Sequence, residues 1–254
     1  MGPRINRRAL FTAVESGFFE LVLFALAAAI AGCIRGFTGF GGPAVLTLFL
    51  VPFYSPLSVV SKVVVVDLIS NIKLIPDVYR QPGWRPVWPW FVLAAAAVPI
   101  GHLAVLQMDA DALRQGLGIL VVLCTAAMLA GWRCNTMPHA SVSWPLSAAA
   151  GVVMGGVFIA LPMMAYVSSL PQSSAHSRAQ AIVWAFFTGV ALLITQSFTG
   201  VFGISDLAPV AVMAVAYLGG SIAGAKGFRR ASEVAVRRAV LFLLLFLALM
   251  TIVV

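Results

Sequence analysis

An all-α, polytopic membrane protein is the fold class this sequence predicts, and three observations predict it. Of the 254 residues, 61% are hydrophobic and only 9% are charged. The mean hydropathy is +1.03, and the apolar stretches approach the ~20 residues a helix needs to cross a bilayer. Roughly eight or nine such crossings consume the chain and leave short loops, which excludes an ordinary soluble domain. The net charge of +8 is scattered over those loops, so it speaks to orientation and anionic lipid rather than to nucleic acid. Membrane lipid is therefore an expected partner, nucleic acid is not, and a homo-oligomer stays open. Cys33, Cys124 and Cys134 are an odd set without metal-type spacing, so neither a disulfide framework, a zinc site nor another cofactor is expected.

Arg4, Arg7 and Arg8 precede the first apolar run in the manner of a signal peptide, and Ile30-Ala31-Gly32-Cys33 resembles a lipoprotein cleavage site. Glu15 and Glu20 interrupt that run, and cleavage would fall just ahead of the most distinctive stretch of the chain. The segment is read as the first transmembrane element.

That distinctive stretch is Arg35-Gly36-Phe37-Thr38-Gly39-Phe40-Gly41-Gly42-Pro43. In a helix interior glycine costs about 1 kcal/mol and proline about 3 kcal/mol relative to alanine, so the helix is expected to break here, at depth in the membrane. Irregular backbone survives there only when it is packed in protein or lines a watery cavity. Pro43 is suited to start a half-helix whose positive end faces the break, and Arg35 adds a full charge. Exposed amides, a helix N-terminus and a cation favour an anion. The plainer reading is that these glycines only let helices pack closely. The same stretch, followed by an apolar run, resembles the first-repeat signature of the sulfite exporter TauE/SafE family of bacterial membrane transporters.

After the break, Pro52 and Pro56 mark a turn, and the next span, 57–78, carries Lys62, Asp67, Ser70, Asn71, Lys73 and Asp77. At 100° per residue Asp67, Ser70, Asn71 and Asp77 share one face, with the lysines at its margin. Asp67 sits too deep to snorkel. An intramembrane carboxylate is a functional candidate by default: it either exchanges a proton, with Asn71 one turn away, or neutralises Arg35 or Lys62 in a static pair. Lys73 and Asp77, four apart, are spaced to pair. Trp84, Trp88 and Trp90 are interfacial anchors. Further spans follow at 87–106 and 113–132, and His102 in the first of them is a packing or hydrogen-bonding residue.

The second half repeats the order of the first. Pro43 and Pro162 stand 119 positions apart, as do Pro52 and Pro171; Gly101 and Gly224 stand 123 apart, as do Arg114 and Arg237. The division is a first repeat over 1–134, a central loop over 135–143 and a second repeat over 144–254, each repeat opening with a discontinuous helix. Internal duplication of this kind places substrate at the repeat interface. The second broken segment, 144–170, holds Gly151, Gly155, Gly156 and Pro162 and ends in Ser168 and Ser169. Spans at 180–198, 207–225 and 234–254 complete the chain. Eight crossings put the N-terminal arginines and the cluster of Lys226, Arg229, Arg230, Arg237 and Arg238 on opposite sides; splitting the first segment makes nine and brings them together.

The resemblance implies a multi-pass protein of the bacterial inner membrane that carries sulfite, sulfonates or related small organosulfur or carboxylate anions, driven by protons or the membrane potential. On that reading the anion binds between the two breaks, held by Gly39, Gly41 and Gly42 amides, the Thr38 and Ser168 hydroxyls, and the charge of Arg35 or Lys62. Asp67, with Asn71, becomes the proton-coupling group. The family's usual glycine pair before the second proline is here Ala160 and Leu161, a departure that bears on substrate choice. Two other readings stay open. A passive anion channel needs neither Asp67 nor alternating access. An integral-membrane enzyme is disfavoured, because the chain has no His-Glu-x-x-His or Gly-x-Ser-x-Gly pattern and spreads His102, His139 and His176 over distant segments.

Overall fold

A computed structural model describes residues 7–38, 41–72, 88–131, 134, 139–228 and 233–253. Lys73, Asp77, Trp84, Arg229, Arg230 and Gly39 lie outside these, as do the side chains of Thr38, Arg178 and Arg237. Among the described residues there are helices and turns but no strand, as the composition demands. In chain order they are α1 (Arg7–Thr38), α2 (Gly42–Leu50), α3 (Pro56–Ile72), α4 (Trp88–Val105) and α5 (Ala110–Leu129). The second half follows with α6 (Ala140–Val157), α7 (Leu161–Ser169), α8 (Ser174–Thr199), a 3-10 turn (Ile204–Asp206), α9 (Leu207–Phe228) and α10 (Glu233–Val253).

Within the described residues, six helices are long and apolar enough to cross a membrane: α1, α4, α5, α6, α8 and α9. Their outward faces carry large exposed apolar side chains such as Leu26, Ile30, Val92, Leu123 and Val215, which suit contact with acyl chains. By contrast α2 and α7 have nine residues each. At 1.5 Å per residue they reach about 13 Å, less than half of a ~30 Å hydrocarbon core.

Both half-helices double back on the helix before them. The first residue of α2, Gly42, lies against Ala31 and Arg35 of α1, and the Tyr54 ring beyond its end stacks 4.9 Å from that of Phe24. Likewise the Tyr166 hydroxyl of α7 is 2.8 Å from Ser143 Oγ near the start of α6. Proline stands in the first turn of each half-helix, where a missing N–H costs nothing. Gly41, capping α2, has φ 80°, a left-handed conformation that glycine adopts without penalty.

Two seams of small residues hold the bundle together. A Cβ placed on Gly32 or Gly36 of α1 would overlap the carbonyl oxygens of Tyr217 and Ser221 in α9, while Gly220 and Gly224 of α9 face Ala29 and Cys33 of α1 in the same way. The second seam joins α6 to α4: Gly151 and Gly155 lie on the backbone of Ala94 and Val98, and Gly101 on that of Val152. Four-residue spacing of small residues on both partners lets backbones touch. The first-half helix α1 thus packs on α9 of the second half, and α6 of the second half packs on α4 of the first. Partners advance together along each seam, so α1 and α9 run parallel. The start of α1 and Lys226 at the end of α9 therefore sit at opposite ends of the bundle.

Candidate functional site

The N-termini of the two half-helices point into one buried cavity of about 50 Å³. Gly41, Pro43 and Ala44 bring the start of α2 to it, and Ala160 and Leu161 bring the start of α7. Unpaired amides and the positive end of the helix dipole gather at such termini, so the cavity receives two of them. Its two walls differ in chemistry. The first half contributes Arg35, Asp67 and Asn71; the second contributes Met154, Phe158, Leu161, Met164 and Ile182.

Arg35 stands one turn before the end of α1, and Asp67 and Asn71 stand one turn apart on α3, so all three meet. The guanidinium donates from Nη1 to Asp67 Oδ1 and from Nη2 to Asn71 Oδ1, and Asn71 Nδ2 donates 2.8 Å to Asp67 Oδ2. The triangle is closed, each member bonding the other two. Arg35 is 7% exposed, Asp67 2% and Asn71 0%. Removing either charge would strand the other in a medium that solvates it poorly. The Tyr217 hydroxyl lies against Gly42. Ser70 turns inward to donate to the Asp67 carbonyl, 2.9 Å away.

Of the residues singled out from sequence, Arg35, Gly41, Asp67 and Asn71 come together on the cavity. Gly42 sits just behind its wall, where any Cβ would meet Tyr217 and Arg35. Gly39 and the Thr38 side chain are outside the described residues. Two others are elsewhere. Lys62 points away from the cavity toward Asp206, with Nζ 2.7 Å from Oδ1 and 2.8 Å from Ser58 Oγ. Ser168 lies at the far end of α7 from Leu161. His102 is fully buried and bonds Thr199 Oγ1 at 2.9 Å, as a hydrogen-bonding residue does. Residues that sequence reasoning missed include Tyr217, Phe158 and the apolar second wall. Phe158 had one available signal, since the 119-residue offset sets it opposite Gly39.

A helical membrane protein with a charged cavity between two half-helix termini is the class that fold and site define. The family model for the sulfite exporter TauE/SafE matches residues 24–251, nearly the whole chain, and the protein belongs to that family of membrane transporters. Compared with curated proteins and with solved structures, the chain gives no match in either.

Proposed function

We propose that the protein is a secondary transporter of the bacterial inner membrane that carries a small anion, sulfite or a small sulfonate, through the cavity between the breaks. The observation that carries this reading is Arg35 held by Asp67 and Asn71 at the meeting point of two half-helix N-termini. An arginine has five donors, and an anion arriving at the cavity competes with Asp67 for them. When the anion takes the guanidinium, the displaced Asp67 carboxylate gains a proton, with Asn71 placed to hydrogen-bond it in either state. The anion and one proton then enter together and the buried charge is unchanged, which keeps the desolvation cost low in both loaded and empty states. Amides at Gly41 and the start of α2 supply directional donors to the anion. Reading 1–134 and 144–254 as repeats joined by 135–143 is supported by Gly32 and Gly151, and Gly36 and Gly155, which stand at the same 119-residue offset as the prolines.

The test is uptake of labelled sulfite and methanesulfonate into proteoliposomes, with and without an imposed pH gradient. Wild type is expected to show gradient-stimulated uptake; Asp67→Asn is expected to lose the stimulation while keeping anion exchange, and Arg35→Ala to lose both. Full gradient coupling in Asp67→Asn would remove the carboxylate from the cycle. Transport undiminished in Arg35→Ala would remove the cavity itself.

A further inference from the structure

Extending the 119-residue offset through the breaks sets Gly39, Phe40, Gly41 and Gly42 opposite Phe158, Ile159, Ala160 and Leu161. Where Gly41 of the first break lines the cavity, the second adds side chains to it, Phe158 and Leu161 among its lining. Phe158 is held in an unusual conformation, φ 51° and ψ 44°, and among the described residues it is the one non-glycine with positive φ. For a bulky residue this is an outlier that the surroundings must enforce. The ring is 1% exposed. Behind it stands Gly189 of α8, where a Cβ would be 3.4 Å from the ring's Cε2 and 3.1 Å from Leu68 Cδ2. The ring is thus lodged between α8 and the cavity, with Leu68 of α3 beside the same glycine.

We infer that Phe158 sets the upper size of the anion the cavity admits. The inference rests on the cavity being the transport site. A water-sized group needs roughly 10–15 Å³, so about 50 Å³ holds a few such groups, about the size of sulfite or a one-carbon sulfonate, and the Phe158 ring is part of the wall that bounds them. Glycine and asparagine both tolerate the left-handed conformation, so Phe158→Gly and Phe158→Asn remove the ring without opposing the backbone.

Two readouts separate the size limit from the transport reading. In the first, methanesulfonate and propanesulfonate compete with labelled sulfite for uptake into proteoliposomes. Both variants are expected to improve the propanesulfonate to methanesulfonate inhibition ratio by at least roughly tenfold, the effect of added methylenes finding room. In the second, Ala185→Cys on the cavity wall, in a background without the three native cysteines, reacts with methyl and benzyl methanethiosulfonate. The benzyl to methyl rate ratio is expected to rise at least tenfold when Phe158 is replaced. A raised labelling ratio with no anion movement by any protein would uphold the size limit and overturn the transport reading. Sulfite uptake with both ratios unchanged would overturn the role of Phe158.

Discussion

Adjacent glycines in α9 give the sharpest test of how the bundle is held. A methyl group added at Gly220 would overlap the carbonyl oxygen of Ala29 and stand 3.0 Å from the Ala29 carbonyl carbon and the Cys33 amide nitrogen. Ordinary heavy-atom contact is about 3.5–4.0 Å, and all three neighbours are backbone, so α1 and α9 must separate by about 1 Å or more. Overpacking of this kind costs about 1–3 kcal/mol. Gly219, one residue earlier, has nothing within 4 Å of the same added atom. There alanine should be neutral or improve the helix by up to about 1 kcal/mol. The two substitutions share composition and helix and differ only in the face they modify. A chain of this length shifts by about 2–4 °C per kcal/mol, so a difference of about 1–4 kcal/mol is expected to put Gly220→Ala roughly 2–16 °C below Gly219→Ala. Thermal unfolding of the detergent-purified protein, followed by dye reaction with the native cysteines, measures this. Equal midpoints for the two variants would refute the close α1–α9 seam.

Three further outcomes follow from named contacts. Lys62→Met leaves Asp206 largely buried without its partner and should cost on the order of 2 kcal/mol, read as a lower melting midpoint; the anion KM should not change, whereas a raised KM at full stability would return Lys62 to the binding site. Arg35→Lys keeps the charge but loses the fork that meets Asp67 and Asn71 together, so sulfite uptake should fall at least about tenfold, and wild-type rates would contradict the two-armed arrangement. Ser147 accepts from Trp184 Nε1 at 3.2 Å and donates to the Trp90 carbonyl at 2.8 Å; Ser147→Ala should cost about 1–3 kcal/mol by stranding both groups, which the same melting assay would detect.

The sequence made the polar half of the cavity legible because the membrane makes polar residues scarce. Arg35, Asp67 and Asn71 had few possible partners in an apolar chain, and burial obliged them to find one another. The ends of α4 and α9 were legible for a similar reason, since loops concentrate charge and proline. The direction of α2 was not. Glycine and proline say that a helix stops, yet the turn back along α1 depends on Gly42 fitting against Ala31 and Arg35. Helical spacing places Lys62 beside the polar face, while its partner Asp206 is distant in sequence and carries no local sign of pairing. The apolar wall was invisible for the opposite reason to the polar one, because Met154, Met164 and Ile182 look like any other core residues until the fold sets them across from Arg35.

The polar contacts between helices divide the bundle in a way that the sequence halves do not. Arg35 ties α1 to α3 through Asp67 and Asn71, and Lys62 ties α3 to the turn before α9, whose helix is already seamed to α1. Ser147 ties α6 to α4 and α8, His102 ties α4 to α8, and Tyr166 and Ser177 tie α7 to α6 and α8. One set is α1, α3 and α9; the other is α4, α6, α7 and α8. Each draws on both halves of the chain, because α1 and α6 are exchanged across the seams. Rocking one sequence half against the other would tear both seams, where backbone lies on backbone and no side chain can yield. Motion between the two sets spares every one of these bonds. The cavity lies on that boundary, with its charged wall wholly in the first set and its apolar wall in the second. On the proposed function, an anion held by Arg35 would travel with the charged wall and face the apolar side chains of the second set, Phe158 among them.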